Sequence, residues 1–335
     1  MAERERRFCC ESKDGFQLDL KPMPMDIGQS TRRNRKVSAV IPTRNRPDLV
    51  LRAVRSALAQ TYDDMEVVVV VDGPDDTTGN ALAAVLDNRL RVIALPRTQG
   101  AQNARNVGSR AARGDWIALL DDDDEWLPDK TELQMQRALN STFRYPIVSS
   151  RLFARTSSYQ LIWPRQQPYE PLSEYLLARN SCSRGEGLLH TITLLFPKDL
   201  FDQVPFSPLL QRCHDVDWVL RASRQVGVGI EFIPRPLAVY DLAEERTSIT
   251  TVADWRASLA WIESVRGMIT DRAFASYLAI TVASQAARQS DWSAFSLLLT
   301  RILTQGAPKL RDLAYFFGVW CVPRKVQLSV RKMGW

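Results

Sequence analysis

No stretch of about 20 apolar residues occurs anywhere in the sequence, so nothing in it reads as a membrane-spanning helix. Charged residues begin at Glu3 and no apolar leader core follows, so no secretory signal is expected. The five cysteines, Cys9, Cys10, Cys182, Cys213 and Cys321, form neither a disulfide framework nor paired CxxC zinc ligands. Reduced thiols in a cytoplasmic protein are the simplest account of them. Basic residues crowd Arg32–Lys36 and Pro323–Lys332, but without the interleaved aromatic motif of an RNA- or DNA-binding module, so no nucleic-acid partner is expected. What remains is globular in composition: 45% hydrophobic and 24% charged residues, with a net charge of +6. At roughly 150 residues per domain, 335 residues leave room for two units.

The most unusual stretch is DWIALLDDDDEWLPDK, where Asp121 to Asp124 and Glu125 directly follow an apolar run. Two unit charges about 4 Å apart repel by roughly 1 kcal/mol in water and roughly 4 kcal/mol at an effective dielectric near 20. Five in a row are costly unless something positive sits among them. The alternative is a solvated acidic loop.

Periodicity locates this run. Residues 1–36 are polar and aperiodic, and read as a flexible extension. Val37–Ile41 reads as a strand stopped by Pro42, and Pro47 opens a helix with Val50, Val54, Ala57 and Leu58 at helical spacing. Five valines, Val67 to Val71, give the continuous apolar strand of a sheet covered on both faces. A helix is expected from about Asp76 to Leu86, with Leu82, Val85 and Leu86 on one side, then a strand at Leu90–Leu95. A helix of small residues follows (Ala101, Ala104, Val107, Gly108, Ala111), and Trp116–Leu120 is the fourth strand. This alternation predicts an α/β fold, Rossmann-like, with a mostly parallel sheet flanked by helices. Ligands in such sheets bind beyond the carboxyl ends of the strands. Three polar strand ends converge there: PTRN (Pro42–Asn45), DGPDD (Asp72–Asp76) and the acidic run. The expected organisation is an extension over 1–36, an α/β domain over 37–250 and a helical region over 251–335.

Four segments, VSAVIPTRNRP, EVVVVVDGPDD, GAQNARNVGSRAARGDWIALLDDDDEWLPDK and HDVDWVLRAS, resemble in order and spacing the family-2 glycosyltransferases of the GT-A fold, over roughly residues 37 to 240. The resemblance implies inverting transfer of a sugar from a nucleotide-sugar donor to a hydroxyl acceptor. That acceptor would be a saccharide or lipid-linked glycan, as in cell-surface polysaccharide synthesis, with Mn²⁺ or Mg²⁺ on the diphosphate. Matching motif to motif, Asp121 and Asp123 fall on the metal side and Asp122 towards the ribose or sugar. Asp124 and Glu125 would lie behind them or in solvent. The register among four consecutive aspartates is open by one. The same match puts Pro42, Thr43 and Asp72 around the nucleoside, and Arg105 near the base or phosphates. The commonest family pattern has two acids before the glycine of the second strand; here Val71 precedes Asp72, leaving the base preference open.

Inverting transfer needs a base to accept the proton of the attacking hydroxyl. The match assigns that role to Asp215, in a helix's first turn, and puts His214, Asp217 and Trp218 on the acceptor side. The family often has Glu-Asp where this chain has His214-Asp215. His190, within the apolar LLHTITLLF, reads as structural, and SRGEG (Ser183–Gly187) as a flexible loop beside the acceptor.

Two other readings compete. A sugar-phosphate nucleotidyltransferase would need a Gly-rich basic loop after the first strand, and PTRNRP has no glycine. A catalytically degenerate nucleotide-sugar-binding partner is kept open by Val71 and His214. The aromatic and basic C-terminal segment is either a helical cap or a patch resting on the inner face of the membrane.

Overall fold

Apolar runs with β-branched residues at their centre become the middle of a sheet. The computed structural model describes residues 35–156, 159–180, 185–208, 210, 212–242 and 254–321, all within the compact unit that begins at Asn34. The expected flexible extension, except Arg35 and Lys36, lies outside the described residues, as do Cys9, Cys10, Cys182 and the basic stretch Pro323–Lys332. Strand β1 (Val37–Thr43) is buried along its whole length. Helix α1 (Pro47–Leu58) begins with proline, whose missing N–H is one the first turn could not have used. Next come β2 (Met65–Val71), also fully buried, α2 (Asp76–Ala83), β3 (Leu90–Ala94), α3 (Ala101–Ala111) and β4 (Trp116–Leu119). This is the alternation expected from the sequence. Leu86 departs from it: α2 stops at Ala83 and Leu86 is 98% exposed. A turn at Asp87, whose Oδ1 accepts the Arg89 N–H at 2.9 Å, redirects the chain into β3 before another helical turn can form.

The chain continues through β5 (Glu125–Trp126), α4 (Lys130–Leu139), β6 (Tyr145–Arg155), β7 (Gln160–Trp163), α5 (Leu172–Leu177), β8 (Leu195–Pro197), α6 (Lys198–Gln203), α7 (His214–Ala222) and β9 (Val228–Asp241). The sheet runs β3-β2-β1-β4-β8-β6-β9-β5, with β7 added on β6. Strands β1 to β4 pair in parallel. β8 is antiparallel to both β4 and β6, β9 is parallel to β6, and β5 is antiparallel to β9. The sheet is therefore mixed, with its parallel half made by the four strands read from the sequence.

Helix α3 lies close against that half. A Cβ at Gly108 would sit 2.5 Å from Val40 Cγ1 and 3.0 Å from Val70 Cγ2, so only glycine allows this approach. The C-terminal part is helical as expected. It contains α8 (Trp255–Ser264), α9 (Asp271–Tyr277) running through a π turn into α10 (Ala283–Arg288), α11 (Ser293–Gln305) and α12 (Leu310–Cys321). Its core gathers Phe274, Leu278, Ile302 and Phe316, and also takes in Leu177 and Leu220 from the preceding elements.

One buried carboxylate ties β1, β2, β3 and the end of α3 together. Glu66 accepts from Ser38 Oγ at 2.8 Å, the Arg113 N–H at 2.6 Å and Arg91 Nη1 at 2.9 Å. Burial works to raise its carboxyl, but these three donors outweigh it and hold the group below the usual glutamate value. Such a group stabilises the fold above the unfolded-state pKa and loses that contribution as pH falls through the folded-state value. Glu66→Gln is expected to cost about 2 kcal/mol at pH 7, with the gap to wild type closing below about pH 4. Thermal melts across that range check both features; a constant gap would contradict the linkage.

Candidate active site

The carboxyl ends of β1, β2 and β4 form one rim, because Thr43 pairs with Val71 and Val40 with Leu119 in parallel register. The acidic turn starts two residues after β4 ends, and its members separate at once. Asp121 takes Arg105 Nη2 on Oδ1 at 2.5 Å. Asp122 accepts from Thr43 Oγ1 at 2.8 Å and from Arg46 Nη1 at 3.0 Å. Arg46 Nη1 also reaches Asp123 Oδ2 at 3.3 Å, while Arg52 Nη2 donates to the Asp123 carbonyl at 2.5 Å. Asp124 is buried and accepts the Asp241 N–H at 2.9 Å; its Oδ2 is buried with no hydrogen-bond partner. Glu125 pairs with Arg155 at 3.0 Å and Arg52 at 3.5 Å. Of the two residues expected behind the metal side or in solvent, Asp124 is thus firmly inside.

The environments push these acids apart. Burial would raise Asp121, but Arg105, with His190 and His214, outweighs it and holds the carboxyl below its ordinary value. Burial pushes Asp122 up to about 6, with Asp123 and Asp121 adding to the rise and Arg46 and Thr43 opposing it. Asp124 is raised well above its ordinary value by burial, then by Asp121 and Asp123. Five carboxylates, Asp121, Asp122, Asp123, Glu125 and Asp241, pair with the guanidiniums of Arg46, Arg52, Arg105 and Arg155. Among the described residues no three Asp, Glu, His or Cys side chains form a ready-made metal cage. A magnesium-like ion is commonly held by one or two carboxylates plus substrate phosphates. Asp121 and Asp123, whose side chains are 23% and 27% exposed, have the oxygen chemistry and access for it.

Helix α7 brings the second half of the site. Cys213 precedes it in a left-handed conformation (φ 55°), and Cys213 Sγ lies 3.3 Å from Tyr277 OH on α9. His214 Nε2 sits 3.3 Å from Thr191 Oγ1, and its Nδ1 is buried with no partner. Burial, then Arg105, lowers the imidazole pKa, so the ring is neutral at pH 7; it also feels Asp215 and Asp121. Asp215 accepts its neighbour's N–H, from Val216, on Oδ1 at 2.8 Å. Tyr240 completes the wall: burial first, then Asp124, Asp121, Asp123 and Asp215, push its phenol up to about 12, so it stays a hydroxyl donor among acids. The His190 and Tyr240 rings lie 4.5 Å apart.

The remaining expected residues are placed as follows. Pro42 lies in buried β1, one residue before Thr43. Asp72 accepts from the Gln99 N–H at 2.7 Å and the Gly100 N–H at 2.9 Å, one on each carboxylate oxygen, so it fixes the loop that starts α3. Trp218, expected on the acceptor side, is instead a core residue: it is 0% exposed, its Nε1–H donates to the Val204 carbonyl at 2.7 Å, and its ring lies 4.3 Å from that of Phe196. Asp217, also expected there, is buried and accepts from Arg221 Nε at 2.8 Å and Trp261 Nε1 at 3.2 Å. Their partners are the reason: the Val204 carbonyl and the Phe196 ring hold Trp218, and Arg221 with Trp261 holds Asp217. In the expected SRGEG loop, Ser183 and Arg184 lie outside the described residues; Glu186 is buried and pinned by the Asn180 N–H at 2.6 Å. Sequence reasoning missed Arg46, Arg52, Arg155 and Tyr240. Of these only Arg46, inside PTRNRP, carried a signal.

The model of the family described as "Glycosyl transferase family 2" matches residues 38–204. The succinoglycan biosynthesis protein ExoO of Rhizobium meliloti is 47% identical over 102 residues, 30% of this chain and 29% of that protein. The amylovoran biosynthesis glycosyltransferase AmsB of Erwinia amylovora is 25% identical over 72% of this chain and 81% of its own. The Escherichia coli UDP-Glc:alpha-D-GlcNAc-diphosphoundecaprenol beta-1,3-glucosyltransferase WfgD is 33% identical over 32% of this chain and 44% of its own. The match thus spans less than half the length of ExoO and of WfgD. Among solved structures, S. aureus TarS 1-349 in complex with UDP-GlcNAc superposes with a TM-score of 0.53 at 17% identity, covering 88% of this chain and 83% of that one. With the rim motifs in family order on a sheet of this topology, the chain belongs to glycosyl transferase family 2 and has the GT-A fold.

Proposed function

We propose that this protein is an inverting, divalent-metal-dependent glycosyltransferase that moves a sugar from a nucleotide-sugar donor to a hydroxyl acceptor. The observation carrying this reading is the acidic turn after β4 standing beside Asp215 at the start of α7, with His214 sensing both Asp121 and Asp215. Asp215 Oδ1 is used by the Val216 N–H, which leaves Oδ2 to take the acceptor proton. As the acceptor oxygen bonds to the anomeric carbon, the bond from that carbon to the diphosphate oxygen breaks on the opposite face. The nucleotide diphosphate departs and configuration inverts. Asp121 and Asp123 would hold Mn²⁺ or Mg²⁺, which supplies Lewis-acid stabilisation of charge on the departing diphosphate. Arg105 and Arg46 keep the two carboxylates oriented. Tyr240 and neutral His214 offer hydrogen bonds beside Asp215 without competing for its charge.

The acceptor is proposed to be a lipid-linked glycan in polysaccharide assembly, with the protein working at the cytoplasmic face of the membrane. ExoO is named for succinoglycan biosynthesis and AmsB for amylovoran biosynthesis, and WfgD's name specifies a diphosphoundecaprenol acceptor. No described helix is long and apolar enough to cross a membrane, so reaching such an acceptor would rely on surface contact.

Calorimetric titration of UDP, GDP and dTDP with Mn²⁺, repeated with EDTA, tests the donor side. Binding of one nucleotide that disappears on chelation is expected. No binding of any of them in either condition would sink the donor reading.

A further inference from the structure

Charge is distributed one-sidedly at the C-terminal end. Residues 293–335 contain seven cations (Arg301, Lys309, Arg311, Arg324, Lys325, Arg331, Lys332) and one acid, Asp312. Asp312 is fully buried: it pairs with Arg272 and accepts from Ser276 Oγ at 3.1 Å and the Lys309 N–H at 2.7 Å. Among the described residues of this segment no acidic side chain reaches solvent, although Glu263 of α8 pairs with Arg301.

The same segment exposes apolar side chains in register. On α12, Asp312, Phe316 and Trp320 recur every four residues and are buried. The opposite stripe, Leu310, Ala314, Phe317 and Cys321, is exposed along its length, with Tyr315 beside it. Leu310 is 84% exposed and Phe317 42%. On α11, Phe295 packs with its ring centre 6.1 Å from that of Phe317, and Leu303 is 55% exposed. Trp292, just before α11, is 61% exposed. Large apolar side chains concentrated on one face mark an interaction site.

We infer that the outer side of α11 and α12, through Trp292, Leu303, Leu310, Tyr315 and Phe317 together with Lys309, Arg311 and the basic sequence that follows α12, docks on an anionic lipid bilayer. Aromatic and leucine side chains backed by Lys and Arg, without acids, are the combination that lies in a headgroup layer and is held by anionic lipid. A second copy joined through the same face would bring like charges together, because such an interface presents one patch to itself. The inference goes beyond the transfer reading, and the vesicle measurement needs neither donor nor turnover. Its failure would remove the membrane-face part of the proposed function and leave the sugar transfer itself standing.

The test is co-sedimentation of the full chain with phosphatidylcholine vesicles, with and without phosphatidylglycerol. Partition is expected on the phosphatidylglycerol vesicles, little on neutral ones, and loss in about 1 M NaCl, where the Debye length is about 3 Å. Two variants dissect it: Leu303→Ser/Leu310→Ser/Phe317→Ser removes apolar contact, and Lys309→Glu/Arg324→Glu/Lys325→Glu reverses charge. Each should weaken partition at least about tenfold while melting temperature and nucleotide binding stay near wild type. Equal partition of wild type and both variants, or none of the wild type on anionic vesicles, would overturn the inference. So would sedimentation equilibrium showing a dimer that the apolar variant abolishes and vesicles do not compete away.

Discussion

Asp215→Asn is expected to lower kcat by at least about 10²-fold and to leave nucleotide binding intact. The change is close to isosteric, and the amide oxygen can still accept the Val216 N–H that the carboxylate accepts at 2.8 Å. What disappears is the oxygen able to take a proton from the acceptor hydroxyl. The neutral, buried His214 next to it makes the experiment discriminating. If the Asn variant keeps its rate, the base is misassigned, and His214→Gln becomes the variant to measure. Nucleotide titration of the same preparation separates lost chemistry from a lost site.

Asp123→Ala should act on the other side of the reaction. Asp123 shares Arg46 with Asp122, so its removal leaves that guanidinium on Asp122 alone, at the 3.0 Å contact already present. The turn loses one carboxylate and, in the proposed reading, the metal loses one oxygen ligand. Nucleotide affinity in Mn²⁺ is expected to drop by at least about 10²-fold, and what binding persists should no longer respond to EDTA. Undiminished, EDTA-sensitive binding would shift the metal ligands along the four-aspartate run. Asp121→Ala would then be the informative comparison, since Asp121 is held by Arg105 rather than Arg46.

The sequence by itself determined the parallel half of the sheet, β1 to β4 with their helices, to within two or three residues at almost every end. Those elements are set by local periodicity and by punctuation such as Pro47 and the Asp72-Gly73 turn, and nearest neighbours in the chain carry that information. It also determined that the acidic run leaves the end of a strand, on the rim where ligands bind. The mixed half of the sheet was illegible, because β5, β8 and β9 are short or irregular and gain their partners from distant chain: Glu125 pairs with Val239, and Val148 with Leu195. How four identical aspartates divide their work was decided only by tertiary structure. Asp121 turns to Arg105, Asp122 to Thr43 and Arg46, and Asp124 to the Asp241 N–H, a contact spanning 117 positions. The same holds for Asp217 and Trp218, whose motif position suggested the acceptor but which Trp261 and the Val204 carbonyl, distant in the chain, hold in the core. Identical side chains in sequence become different groups once burial and a particular counter-charge act on each. Those two quantities exist only when the chain is folded.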